Sequence, residues 1–561
     1  MRPPGNVPTA HADTFVRDRL SPRELWPEFD YSAAHLRGYP DRYNAATLLD
    51  RAATGDARDR TAFVYEGVRW PYALLRDRVE RLVRVLDRRY HLVPGERVLI
   101  RGGNSPMAAV CWLAVLKAGG VCVTTSPLLR ADDIRYVIDK AAVRLALCEL
   151  DLAEELELAR ARAQRPKDVG YYTPLGCSPA EAEIDRRIES APREAGSVAT
   201  AADDPALITF TSGTTGEPKG AVHFHRDILA VSDCWPQRYT VRPDDVVCGS
   251  SSFAFTYGLA ASLIFPLRYG ATSVLIAGRP TPEAILEAVV RHKVTSLYAV
   301  PTVFHAMLER IPDSDISSLR KCSSAGEHLP QGLWQDWLDA TGIRIVNGLG
   351  ASEMLSHFLS EFESVNCPGS MGHPVPGYRA VLLDGNGEPV PRGEQGRLAV
   401  RGPTGVRYID DPAQQKSAVL SGWNLTGDIC EQDPEGCFWY VSRADDMIIS
   451  SGYNVSPREV EQCLIEHPWV DQCAVVGLPD AARGNVVCAC VVPRRGVAGD
   501  AATASALQEF AKQRTAPYKY PRAVRFFEAL PMTATGKIQR GRLRELLAAE
   551  LRAAPGGEYG L

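Results

Sequence analysis

Thr211-Ser212-Gly213-Thr214-Thr215-Gly216-Glu217-Pro218-Lys219-Gly220 is the stretch that decides how this 561-residue chain is read. It follows Ala206-Leu207-Ile208-Thr209-Phe210, an apolar run that predicts a short buried strand. Three glycines, four hydroxyl residues and one lysine share ten positions. Glycine lets backbone approach a ligand closely, and free N–H groups beside hydroxyls and an ammonium suit a polyphosphate. A P-loop is excluded, because it needs Gly-Lys followed directly by Ser or Thr. Here Lys219 lies between Pro218 and Gly220. Apolar residues on both sides (Ala221-Val222 follow) make this a fixed loop between core elements, which expects phosphate.

Composition bounds the rest. A chain of 561 residues exceeds one ordinary core, so two or more domains are expected. The net charge of -5 gives no electrostatic case for nucleic acid or an anionic membrane. No apolar run approaches the roughly 20 residues of a membrane span, and the Pro-, Asp- and Arg-rich start shows no signal peptide. The 14 cysteines are scattered without a C-x-x-C pair, which predicts free thiols in a reducing cytoplasm over disulfides or zinc.

Periodicity predicts a helix over 72–86, then strand, helix, strand, helix and strand to Leu147, a βαβαβ pattern implying a parallel sheet covered by helices. Residues 165–204 read as a surface excursion. The βα rhythm returns from Ala271 to Val346, and a β-rich piece follows (Val381–Leu383, Gly396–Val400). After Asp445 the pattern becomes compact α+β. The expected fold is therefore α/β: a large N-terminal domain of stacked α/β subdomains plus a β-rich piece (26–444), and a small mobile α+β C-terminal domain (445–547). Residues 1–25 read as a loose arm and 548–561 as a frayed tail.

Four further motifs stand in the chain: Gly350-Ala351-Ser352-Glu353, Thr426-Gly427-Asp428, Ser442-Arg443-Ala444-Asp445-Asp446 and Pro531-Met532-Thr533-Ala534-Thr535-Gly536-Lys537. Taken singly, each has a plainer reading as a helix cap, a turn, a solvated linker or a surface lysine. Taken together and in this order, from about Trp26 to Leu547, they resemble the adenylate-forming superfamily of acyl- and aryl-CoA synthetases, luciferases and nonribosomal-peptide adenylation domains. The resemblance implies ATP, Mg²⁺ and coenzyme A. It implies that Thr211, Ser212, Gly213, Thr214, Thr215 and Lys219 wrap the β- and γ-phosphates, that Ser352 meets the α-phosphate, and that Glu353 holds the metal. Ala325, Gly326, Glu327, Asn347 and Gly348 would hold adenine, Asp428 the ribose hydroxyls, and Arg443 the ribose or phosphate. Lys537 would be the adenylation lysine, Asp445 the hinge, and Gly452 and Tyr453 the border of the CoA tunnel.

Two half-reactions are implied: a carboxylate forms acyl-AMP with release of pyrophosphate, then a thiol displaces AMP. Phe255, Thr256, Tyr257, Leu349, Gly350, Ser356 and His357 would border the acyl pocket. Aromatic and aliphatic walls favour a flat ring, although plain core packing explains the same residues equally well. Asn104-Ser105-Pro106-Met107 and Tyr518-Lys519-Tyr520-Pro521-Arg522 look like the benzoate and 2-aminobenzoate CoA ligases. Those ligases tend to read Glu-Met-Leu-His, whereas this chain has Glu353-Met354-Leu355-Ser356-His357. If that segment is helical, His357 is turned about 100° away and Ser356 faces the ring. The expected partners are a small aromatic carboxylic acid and CoA, with a carrier protein and a homodimer left open. A catalytically silent nucleotide-binding regulator is the rival of another class, and it predicts decay of the lysine and glutamate that this chain keeps.

Overall fold

The computed structural model describes residues 7–553 apart from 164, 177–181, 194–195, 212–217, 328, 363–366, 445, 451–452, 481–483, 516–517 and 534–537. Two large sheets form the N-terminal part. One has six strands in the order Asp168–Tyr172, Leu145–Glu149, Arg97–Arg101, Val121–Thr125, Pro205–Thr211, Lys219–Phe224. Its strands run parallel until the last pair, which is antiparallel. The other has nine strands, parallel through its middle from Ile345–Gly350 to Thr61–Tyr65 and antiparallel at both edges. Parallel strands need helical crossovers and burial on both faces.

The helix Pro106–Lys117 shows how that burial is met. All twelve of its residues are buried, and its sequence is apolar nearly all round. Its one charge, Lys117, reaches Asp50 at 3.3 Å. By contrast Tyr72–Arg88 is amphipathic and buries Leu75, Val79, Leu82 and Leu86, the stripe its periodicity predicts. Helices Thr256–Leu259 and Phe265–Tyr269 are joined through a π-helical stretch, Ala260–Ile264.

A five-stranded sheet follows, built on Gln395–Arg401 and Trp423–Gln432. The small C-terminal part carries the hairpin Ile448–Ser450/Tyr453–Val455, a three-stranded sheet and the helices Pro457–Ile465, Ala501–Arg514 and Arg540–Ala553. Cys488 and Cys490, two apart on their strand, share one buried cluster with Leu543 and Leu547. Ser456 and Arg458 tie this part to the sheet before it, donating to the carbonyls of Val441 (2.8 Å) and Tyr440 (2.9 Å).

Several expectations are corrected. The 165–204 excursion contributes an edge strand, Asp168–Tyr172, and a packed helix, Glu183–Ser190, whose Ile184 and Ile188 are buried. The N-terminal arm is not loose over its described part. Arg17 reaches Asp204 at 2.6 Å, the Ala10 N–H donates to the same carboxylate at 3.0 Å, and Asp13 pairs with Arg97 at 2.7 Å. The last helix extends to Ala553, beyond the expected start of the frayed tail at 548. Cys367 and Cys437 form a disulfide although free thiols were expected. Pairing of the Met371 N–H with the Phe438 carbonyl (2.7 Å) lays their two backbone stretches side by side, a proximity that 70 residues of separation conceal. The eleven other described cysteines are buried free thiols.

Candidate active site

The phosphate loop is closed at its base by an antiparallel pair, Thr211 opposite Lys219. Ser212, Gly213, Thr214 and Thr215 lie outside the described residues, as do Asp445, Gly452 and Lys537; Tyr453 opens its hairpin strand. The Tyr136 hydroxyl donates to the Pro218 carbonyl at 3.0 Å and fixes the loop's exit. Lys219 Nζ donates to Gln414 Oε1 at 2.6 Å and lies 5.9 Å from the Tyr408 ring centroid. In turn the Tyr408 hydroxyl donates to Glu353 Oε1 at 2.7 Å. Burial first, then the Glu353 charge, pushes the Tyr408 phenol far up, so it stays a donor.

Sequence reasoning named Lys219 and Glu353 but missed Tyr408 and Gln414, which join them. One signal was available: Asp411-Pro412 is a helix start, and Asp411 does cap it, accepting from the Gln414 N–H at 3.1 Å. That cap sets Gln414 on the first turn.

Ser352 and Glu353 sit on a single 3₁₀ turn, Ser352–Met354, at the end of strand Ile345–Gly350. The turn ends at Leu355 in the left-handed region (φ 66°), and strand His357–Ser360 begins at once. The segment is therefore not helical, and the expected 100° displacement of His357 does not apply. The Thr404 hydroxyl holds the turn by donating to the Met354 carbonyl at 2.9 Å.

Asp428 and Arg443 face each other across a strand pair, with Arg443 Nη1 on Asp428 Oδ1 at 2.8 Å. Gly427 permits this. Its φ is 79°, and a Cβ there would stand 2.6 Å from Arg443 Nη2. The Arg443 charge also acts on Tyr408, the residue that donates to Glu353. In the segment expected to hold adenine, Ala325 is buried, Gly326 is exposed with φ 89°, and Glu327 is half-buried. Asn347 is tied into the fold: its Nδ2 donates to the Ser370 carbonyl at 2.7 Å, its N–H donates to Glu361 Oε2 at 3.1 Å, and its carbonyl accepts from the Glu361 N–H at 3.0 Å. Gly348 leaves room for His357, whose Cδ2 would be 2.5 Å from a Cβ.

His357 is buried, stacked on Trp235 at 4.1 Å between centroids and edge-on to Tyr257 at 5.5 Å. Burial lowers its pKa to about 3, so it is neutral. Its neighbour Ser356 is buried too, 3.5 Å from His357 Nδ1. The Tyr257 hydroxyl donates to the Ser323 carbonyl at 3.1 Å. Phe255 and Leu349 are half-buried, Thr256 is buried and Gly350 is exposed. The structure thus gathers Tyr257, His357 and Trp235 into one aromatic wall, and Trp235 is a member that sequence reasoning missed.

The residues suit a bound Mg²⁺. Among the described residues no group of three or more His, Cys, Asp or Glu forms a metal cage. A single carboxylate, Glu353, beside the Ser352 hydroxyl fits an ion that takes most of its ligands from phosphates and water.

The AMP-binding enzyme family matches residues 49–408, and the AMP-binding enzyme C-terminal domain matches 459–537. A benzoate–CoA ligase of Thauera aromatica is 35% identical over 511 residues, covering 90% of this chain and 96% of its own. A 3-hydroxybenzoate–CoA ligase of Aromatoleum sp. (strain CIB) is 35% identical over 460 residues, covering 81% and 87%. The anthranilate CoA ligase AuaEII, solved with anthranoyl-AMP, superposes with a TM-score of 0.84 at 30% identity, covering 91% of this chain and 99% of that one. Matches that span most of the chain mean that the protein belongs to the AMP-binding, adenylate-forming enzymes.

Proposed function

We propose that this protein is an ATP-dependent aryl-CoA ligase. It activates a small aromatic carboxylic acid of the benzoate or 2-aminobenzoate type as aryl-AMP, releases pyrophosphate, and passes the acyl group to CoA. One observation carries the reading: strand Ile345–Gly350 pairs with His357–Ser360, setting Gly350 opposite His357 of the aromatic wall, and runs directly into the Ser352–Glu353 turn. An acid lying against Tyr257 and His357 therefore ends its carboxylate where the α-phosphate is expected. The relatives named for benzoate and 3-hydroxybenzoate, and the structure holding anthranoyl-AMP, support an aryl acid.

In this reading the acid's carboxylate oxygen attacks the α-phosphorus and the bond to pyrophosphate breaks. The 212–217 loop and Lys219 hold the departing pyrophosphate. Ser352 contacts the α-phosphate, and Lys537 neutralises charge that builds in the transition state. Glu353 would hold Mg²⁺, which spreads phosphate charge when bound. Asp428 takes the ribose hydroxyls, and Arg443, 2.8 Å from Oδ1, holds that carboxylate in place. The C-terminal part then turns about Asp445, withdrawing Lys537 and bringing Gly452 and Tyr453 to line the thiol's approach. CoA sulfur attacks the acyl carbon and AMP leaves.

The test is pyrophosphate release over a panel of benzoates, aminobenzoates, hydroxybenzoates and fatty acids, with and without CoA. Turnover that needs an aryl acid and CoA is expected. Clear preference for long-chain fatty acids sinks the aryl reading, and a holo carrier protein outrunning CoA as acceptor moves the enzyme to carrier loading.

A further inference from the structure

Asn104 does no chemistry in the scheme above, yet its side chain is 9% exposed and fully committed. It stands in the short loop between strand Arg97–Arg101 and helix Pro106–Lys117, just before Ser105, which caps that helix through the Ala108 N–H (3.2 Å). Its Nδ2 donates to the Ser251 carbonyl at 2.9 Å, and its Oδ1 accepts from the Phe253 N–H at 2.7 Å. Ser251 and Phe253 belong to the loop after strand Val246–Gly249, which lies in the other large sheet. One primary amide therefore acts as a peptide group supplied by one sheet to the backbone of the other.

The clamped segment leads straight into the aromatic wall. Three residues separate Phe253 from Tyr257, and the Tyr257 hydroxyl is anchored at the far end on the Ser323 carbonyl (3.1 Å). Phe255 and Thr256 are suspended between those two anchors. The segment also folds tightly over Gly258, where a Cβ would come within 2.3 Å of the Ser252 carbonyl oxygen. Thr124, from the sheet that carries Asn104, adds a longer bond to the Ala254 carbonyl at 3.4 Å. A cavity of about 20 Å³ beside Gly103, Thr124 and Ala254 leaves room for about one water, so the segment has little slack.

We propose that Asn104 is a positioning residue for acid recognition: it fixes where Phe255 and Tyr257 stand, and so sets the affinity and size selectivity of the aryl pocket without touching the substrate. This rests on the reading of the 253–257 segment as the pocket wall. No other side chain of that size carries an N–H donor and an oxygen acceptor on the same carbon. Asn104→Leu fills the volume and leaves the Ser251 carbonyl and Phe253 N–H unpaired, whereas Asn104→Asp keeps the acceptor and sets an anion against the Ser251 carbonyl.

The experiment uses the full-length enzyme and measures KM for the acid, KM for ATP, kcat and Tm for wild type, Asn104→Leu, Asn104→Asp and Phe255→Ala. For both Asn104 variants the acid KM should rise about tenfold and the ATP KM should stay within about twofold, since a displaced wall acts on one substrate only. The ratio of kcat/KM between unsubstituted and ring-substituted benzoates should also flatten. Parallel loss in both substrates, or outright unfolding of both Asn104 variants, overturns the proposal and leaves Asn104 a brace of the fold. If Phe255→Ala shifts acid KM while the Asn104 variants do not, the clamp fails and the pocket stands. If none of the three shifts it, the pocket reading itself fails.

Discussion

The phenol of Tyr408 meets Glu353 across 55 residues of sequence, and the ammonium of Lys219 lies near the same ring. A hydrogen bond to an ionised carboxylate contributes about 1.5–3 kcal/mol, so Tyr408→Phe should free Glu353 to shift. The expected result is a rise of roughly tenfold in the Mg²⁺ concentration needed for half-maximal pyrophosphate release, with acid KM little changed. An unaltered Mg²⁺ titration would show that Tyr408 only packs. Lys537→Ala separates the half-reactions. Aryl-AMP formation should fall by at least about a thousandfold, while thioester formation from supplied aryl-AMP persists. Equal loss in both assays would remove the division of labour assigned to that lysine.

Strands and helices were legible where one face met one partner. Tyr72–Arg88 shows its buried stripe in the sequence, and Arg97–Arg101, Val121–Thr125 and Leu145–Glu149 read as short apolar runs bounded by turns. Asp168–Tyr172 was not legible, because Asp-Val-Gly-Tyr-Tyr has no clear alternation and Tyr172 is buried only by what folds over it. The Ser352–Leu355 turn was hidden too, since Leu355 adopts positive φ, a state that side-chain sterics disfavour and only tertiary packing enforces. Of the candidate site, the motif residues stood out only in one another's company, and Tyr408, Gln414 and Trp235 join through contacts that sequence spacing does not encode. Element geometry also gives a prediction at Gly427. Gly427→Ala adds left-handed strain of about 1–2 kcal/mol and drives a methyl into Arg443, unseating it from Asp428. Melting temperature should fall by a few degrees and ATP KM should rise more than acid KM. The opposite order in the two KM values would detach Asp428 from the nucleotide.

At the scale of the whole molecule, four histidines among the described residues are buried and held neutral, chiefly by burial: His11 and His223 at about 4, His225 and His357 at about 3. Their folded-state values lie below the ordinary 6.5 or so of an unfolded chain. The unfolded state therefore takes up protons first, and stability is lost as pH falls below about 6.5 and continues to fall toward 3–4. Near pH 5.5 each site costs roughly 1 kcal/mol relative to neutral pH. Tm measured from pH 8 down to 5 should be flat at first and then drop steeply, and His225→Asn should lessen the drop. A profile that stays flat to pH 5 would contradict the burial of these rings.

The N-terminal arm has a kinetic consequence. Its anchor, Asp204, lies at the root of the strand that carries the phosphate loop, and Arg17 must find it across 187 residues. During synthesis at about 5–20 residues per second, the arm leaves the ribosome roughly 10–40 s before its anchor exists. This early segment thus waits unseated while the strands up to Pro205–Thr211 are made, and the strand beneath the phosphate loop gains its brace only once it exists. Renaturation followed by fluorescence of Trp26, which packs 6.0 Å from Phe224 beside that strand, should report this docking as a late phase.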